Sequence, residues 1–92
     1  MVTITKERYR AWIVFTLPAT IGKKIELSGS WNGWKKEPMK LKKSGEFRII
    51  KILKLHNHYE FGYLIDGKNW IYDQSLETTP TQFHSYNSLL EI

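Results

Sequence analysis

The chain has 92 residues, 41% hydrophobic and 25% charged, enough for one globular domain and no second core. It contains no cysteine, which excludes a disulfide framework and a zinc–thiolate site and fits a reducing compartment. The net charge of +5 favours polyanions in general, but the lysines are dispersed and interrupted by Glu26, Glu37 and Glu46, so a solvated mixed surface explains them better than a nucleic-acid track.

In chain order, the opening MVTITKERYR shows no apolar run before a small-residue cleavage site, and no stretch is long and apolar enough to span a membrane. A cytoplasmic chain without membrane contact is the expectation. RYRAWIVFTLP alternates with period two and is predicted to be a strand, with Tyr9, Ala11, Ile13, Phe15 and Leu17 on one face and Arg10, Trp12, Val14 and Thr16 on the other. Pro18 ends it by removing a ladder donor. KIELSGSW repeats the pattern with Ile25, Leu27 and Trp31. A third strand is predicted over residues 46–55, where Ile50 and Ile52 oppose Phe47, Ile49, Leu53 and Leu55. Such a strand is either covered on both sides or shifted by a bulge.

HNHYEFGYLIDGKNWIYD reads as a hairpin, with Tyr59, Phe61, Tyr63 and Ile65 on one face, Asp66-Gly67 in the turn, and Trp70 and Tyr72 opening the return. YNSLLEI supplies a closing strand. Breakers recur from Pro18 to Pro80 and no helical periodicity is present, so a β-sandwich or small barrel is expected.

Little points to catalysis. There is no Cys nucleophile and no GxSxG elbow, and no acidic pair has the spacing of acid–base work. Asp66 precedes Gly67 where a turn uses Asp for local hydrogen bonding. His56 and His58 lack a third ligand nearby and read as exposed loop residues rather than a metal site. No cofactor is called for.

Four Trp, five Tyr and four Phe remain to be explained. Trp12 and Trp31 lie in alternating strands and are assigned to packing. Trp34 and Trp70 sit in the polar contexts GWKK and GKNWIYD, where an indole exposes a flat apolar face unless a ligand covers it. Sugar rings and nucleic-acid bases both stack on such a face.

IELSGSWNGW, EPM, GEF, YEFGYLIDGKNWIYD and YNSLLEI follow one another in an order and spacing that resemble the family-48 carbohydrate-binding modules. That family includes the glycogen-binding domain of the AMP-activated protein kinase β subunit and the N-terminal domains of isoamylases and branching enzymes. The resemblance runs from about Tyr9 to Ile92. It implies that residues 1–92 form one immunoglobulin-like, early-set β-sandwich, all-β and non-catalytic, that binds α-1,4-linked glucans: glycogen, starch, maltooligosaccharides, cyclodextrin.

In the family, two Trp flank the sugar, and their positions match Trp34 and Trp70. An apolar residue, a Thr and an Asn of the last loop correspond to Phe83, Ser85 and Asn87. Where the family commonly has a basic residue, four positions before the hairpin Asp, this chain has Gly62, so Lys68 or Lys35 would have to supply the missing donor. Trp31 stands where the family packs Phe into the sandwich.

A stacked base contributes roughly 1–3 kcal/mol, and sugars should not exceed that. Two such platforms on a shallow surface imply dissociation constants of roughly micromolar to millimolar. Two other readings are weighed against this one. One is a protein-interaction or oligomerisation module associated with a glycogen- or starch-metabolising enzyme, which Gly62 favours. The other is single-stranded nucleic-acid binding, which dispersed Lys and the missing RNP-like strand disfavour. Oligomeric state is not legible.

Overall fold

The computed structural model describes residues 1–81 and 85–92. Among them are ten strands: β1 (Val2–Lys6), β2 (Arg10–Pro18), β3 (Ile25–Gly29), β4 (Glu37–Pro38), β5 (Lys40–Leu41), β6 (Glu46–Lys54), β7 (His58–Ile65), β8 (Asn69–Ile71), β9 (Thr78–Pro80) and β10 (Tyr86–Glu91). Single 3-10 turns follow β2 (Ala19–Ile21) and β3 (Ser30–Asn32). Two antiparallel sheets result, one in the order β1-β2-β6-β5 and one in the order β4-β3-β7-β10-β9, with β8 added to β7. This is the expected β-sandwich. No described helix is long and apolar enough to cross a membrane.

Alternation builds the core. β2 contributes Ala11, Ile13 and Phe15, β3 contributes Ile25 and Leu27, and β7 contributes Phe61, Tyr63 and Ile65, all buried. Phe15 meets Phe61 across the two sheets edge-on, with ring centroids 5.0 Å apart. Trp31 closes one end of this stack, 5.7 Å from Phe15, 6.0 Å from Phe61 and 6.3 Å from Tyr59. Its Nε1 donates to Glu37, whose other oxygen accepts from Lys51. Trp31 therefore packs, as its place in the sequence suggests.

Two expectations for the first sheet need correction. β6 carries no bulge, since its register with β2 runs unbroken from the Arg10–Lys54 pair to the Pro18–Glu46 pair. Nor is its second face covered, because Ile50 and Ile52 remain 43% and 47% exposed. They stand opposite Val14 and Trp12, and such cross-strand neighbours support one another without a covering layer. Trp12 is likewise on this outer face, 39% exposed, with its Nε1 donating to Glu7 and the Arg10 guanidinium 5.9 Å from its ring. It is not a core residue.

The hairpin after β7 turns with positive φ at both Asp66 and Gly67, the geometry that an Asp-Gly pair favours. Asp66 does more than the local bonding expected of it. Its Oδ1 accepts from the Lys24 and Lys23 amides at 2.8 and 2.9 Å, which ties the hairpin tip to the loop before β3 and lowers its pKa. Asp73, just after β8, is buried and accepts from the Tyr63 hydroxyl at 2.9 Å and the Ser75 amide at 3.0 Å, while its own amide donates to Ser88 Oγ. That network pins the return of the hairpin to both β7 and β10.

Candidate functional site

Because Phe61, Tyr63 and Ile65 point into the core, Glu60, Gly62 and Leu64 belong to the opposite face of β7. Register extends this face sideways. Ser28 pairs with Gly62 and Trp70 with Leu64, and Asn87 precedes Ser88, the partner of Phe61. The outer side of the six-stranded sheet thus collects Ser28, Glu60, Trp70 and Asn87 around a bare glycine. With Trp34, Thr81 and Ser85 they line a cleft of about 630 Å³, within the span of small-ligand sites.

Trp34 is held over this face by an unusual backbone. Gly33 and Trp34 are both left-handed, with φ of 72° and 67°. That conformation costs a non-glycine residue roughly 1–2 kcal/mol, so something must fix it. The Trp34 amide donates to the Gly29 carbonyl at 3.0 Å, Ser28 Oγ donates to the Trp34 carbonyl at 2.9 Å, and Asn32 Oδ1 accepts from the Lys35 amide at 3.1 Å. The indole is left 39% exposed.

Trp70 is seated differently. A Cβ on Gly62 would collide with Cζ2 and Cε2 of the Trp70 ring and stand 3.0 Å from the Ile71 carbonyl. The indole therefore lies against the strand in space that only glycine leaves free. Its Nε1 is shared between the Tyr86 carbonyl and Asn87 Oδ1, each 3.2 Å away, and Asn87 Nδ2 donates in turn to Glu60 at 3.3 Å. Asn87 is 8% exposed, so its amide mainly orients the ring.

The two indoles are 6.2 Å apart by centroid and inclined at 54°. A ring sandwiched between them would need two contacts of about 3.5–4 Å each, or about 7–8 Å in all, with the planes near parallel. They form an angled platform open to solvent instead of a clamp.

Of the residues picked out by sequence, Trp34, Trp70, Ser85 and Asn87 come together here. Lys35 and Lys68 are exposed and are not among the residues that line the cleft. Phe83 lies outside the described residues. Ser28, Glu60 and Thr81 were not anticipated; the signal for the first two is their alternation with the buried Leu27 and Phe61. Glu60 is the charged residue of the described lining, which gives the cleft no basic track. An apolar floor with a hydroxyl, amide and carboxylate rim suits an uncharged polyol, and the described residues hold no cluster of three potential metal ligands.

Residues 13–92 match the family model described as the glycogen recognition site of AMP-activated protein kinase. The chain is similar to 5'-AMP-activated protein kinase subunit beta-1 of Sus scrofa, at 30% identity over 71 residues, covering 77% of this chain and 56% of that protein. It is also similar to the beta-1 subunits of Rattus norvegicus and Mus musculus, at 28% identity over 71 residues, covering 77% of this chain and 25% of each. The chain thus spans about half of the pig relative and a quarter of the rodent ones. On that match and this all-β sandwich, the chain belongs to the family of the glycogen recognition site of AMP-activated protein kinase, a family of carbohydrate-binding modules.

Proposed function

We propose that the chain is a non-catalytic module that binds α-1,4-linked glucans by resting glucose units on the Trp34–Trp70 platform. The observation that carries this reading is the platform itself: two indoles fixed by a left-handed turn and by a glycine seat, facing solvent above a polar rim. Indole faces attract the electropositive C–H edge of a sugar ring, and the ring hydroxyls are then free to bond at the periphery. Ser85 and Glu60 offer partners there, while Asn87 holds Trp70 in place. Binding of this kind is shallow, with dissociation constants of roughly micromolar to millimolar, and tighter for ligands that present several registers. The module would work in the cytoplasm beside a glycogen-metabolising enzyme, and residues 1–92 would act as one unit.

Co-sedimentation with glycogen tests the reading. The wild-type chain is expected in the glycogen pellet, and a Trp34→Ala chain that still melts cooperatively is expected in the supernatant. A second, compatible role is favoured by the exposed strip of Trp12, Ile50 and Ile52 on the first sheet. That strip lies on the sheet away from the cleft, so a partner protein could pack on it while the Trp platform stays open.

A further inference from the structure

Trp70 borders a second cleft as well as the first. This neighbour, of about 580 Å³, is walled on one side by the end of β2 and the following turn, through Leu17, Pro18 and Ile21. On the other side stand Tyr72 and Tyr86, and Ser85 is shared by both clefts. The two tyrosines meet edge-on with centroids 5.9 Å apart at 65°. Ile21, Tyr72 and Tyr86 are 37%, 38% and 49% exposed, an unusual grouping of large apolar side chains at one spot on a small domain.

The rings are on fixed backbone. Tyr72 adjoins the buried Asp73, which Tyr63, Ser75 and Ser88 hold. The Tyr86 backbone carbonyl accepts from Trp70 Nε1 at 3.2 Å, so the indole of the first cleft is tied to the strand that carries Tyr86. Two aromatic pairs, Trp34–Trp70 and Tyr72–Tyr86, thus lie in adjoining clefts that share Trp70 and Ser85.

We propose that the Tyr72–Tyr86 cleft is a second subsite, which takes further glucose units of the glucan chain already resting on Trp34 and Trp70. The inference rests on the glucan reading above. Continuity through Trp70 and Ser85 argues for the same ligand. Its wall of phenol rings, aliphatic side chains and the Gln74 amide matches the alternating apolar and hydroxyl surface of a polysaccharide. Among the described wall residues the charged one is Asp73, which is buried and engaged by the Met1 ammonium, the Tyr63 hydroxyl and the Ser75 amide.

The test is calorimetric titration of the intact chain with maltotriose, maltoheptaose and β-cyclodextrin, on wild type, Tyr72→Ala and Ile21→Ser. Wild type is expected to bind maltoheptaose about five- to tenfold more tightly than maltotriose, about 1–1.4 kcal/mol. Tyr72→Ala and Ile21→Ser are expected to remove that gain while leaving maltotriose and β-cyclodextrin unchanged, since a short or closed ring needs the first cleft alone. Two independent substitutions, with β-cyclodextrin as a control for folding, keep a damaged variant from imitating the result. Equal affinity for the short and long ligands in wild type overturns the subsite alone. So does a full chain-length gain in both variants, the outcome expected if the cleft docks a protein segment. Absence of any sugar binding in wild type overturns the glucan reading and the subsite together.

Discussion

The indole of Trp70 occupies the space that a side chain at Gly62 would fill. By sequence alone Gly62 registers as the loss of a basic donor. In the fold it is a seat, and the Trp70 ring fills it. The same device appears at Gly29, where a Cβ would collide with the ring of Trp31. Gly29 pairs with the inward-facing Phe61, and Gly62 follows Phe61 on β7, so one glycine seats an indole inside the sandwich and the other seats one outside.

Gly62→Ala is accordingly expected to lift Trp70 from the sheet. Overpacking of this kind costs about 1–3 kcal/mol. A lower melting temperature should accompany a changed tryptophan emission spectrum, and maltoheptaose binding should weaken at least about tenfold, or about 1.4 kcal/mol. Gly62→Lys, although it restores the residue type common in related modules, is expected to weaken binding further. Improved binding by the Lys variant would show that the Trp70 seat does not matter.

The four tryptophans are expected to separate cleanly. Trp34→Ala and Trp70→Ala should abolish detectable glycogen co-sedimentation, each removing roughly 1–3 kcal/mol of stacking, and Trp34→Ala should change the melting temperature little. Trp31→Ala should instead destabilise the fold by about 3 kcal/mol, because it leaves a hole against Phe15 and Phe61. Trp12→Ala should do neither. Thermal melts and glycogen pelleting on the same four variants check all of this.

Asp73 makes stability depend on acid pH. Burial by itself raises its pKa, but the hydrogen bonds from Ser75, the Met1 ammonium and Tyr63 more than offset that, and its folded pKa lies below the ordinary value. Such a carboxylate stabilises the fold above the unfolded pKa of about 3.9, and that stabilisation is lost as pH falls through the lower folded value. Tyr63, raised by burial and by the charge of Asp73, stays protonated and keeps donating throughout. Asp73→Ala leaves the Tyr63 hydroxyl unpaired and should cost about 1–3 kcal/mol at neutral pH. Melting temperatures measured across the acid range should show the gap between variant and wild type closing below about pH 4.

Asn87 joins Trp70 to Glu60, so in the proposed glucan site its part is to fix the indole. Asn87→Ala should leave Trp70 held by the Tyr86 carbonyl alone and weaken binding by several-fold. Glu60→Gln, which keeps an acceptor for the amide, should bind nearly as well as wild type. Fluorescence quenching by acrylamide should rise for the Asn87 variant and not for the Glu60 one.

Alternation alone placed Ala11, Ile13 and Phe15 in the core, and likewise Ile25, Leu27, Phe61, Tyr63 and Ile65, because a strand with one buried face writes its burial into every second residue. The same alternation put Trp12 on the face opposite Ile13 and Phe15, yet its place within a strand suggested packing, and Trp12 is 39% exposed. Ile50 and Ile52 were ambiguous because their support comes from Trp12 and Val14 on another strand. β1, β4, β5 and β9 are edge or two- to five-residue pieces whose pairing depends on partners remote in sequence. In the cleft, Trp34 and Trp70 were legible as indoles stranded in polar loops. The links from Asn87 to Glu60 and from Gly62 to Trp70 were not, since each needs the register of two paired strands.

Calorimetric titration with β-cyclodextrin, on wild type and Trp34→Ala at low and high salt with tryptophan emission followed alongside, tests the central claim most directly. Binding by wild type that barely responds to salt, perturbs the indole signal and disappears in Trp34→Ala is the expected result. Binding that falls steeply with salt, or that survives in Trp34→Ala unchanged, would contradict a glucan platform at Trp34 and Trp70.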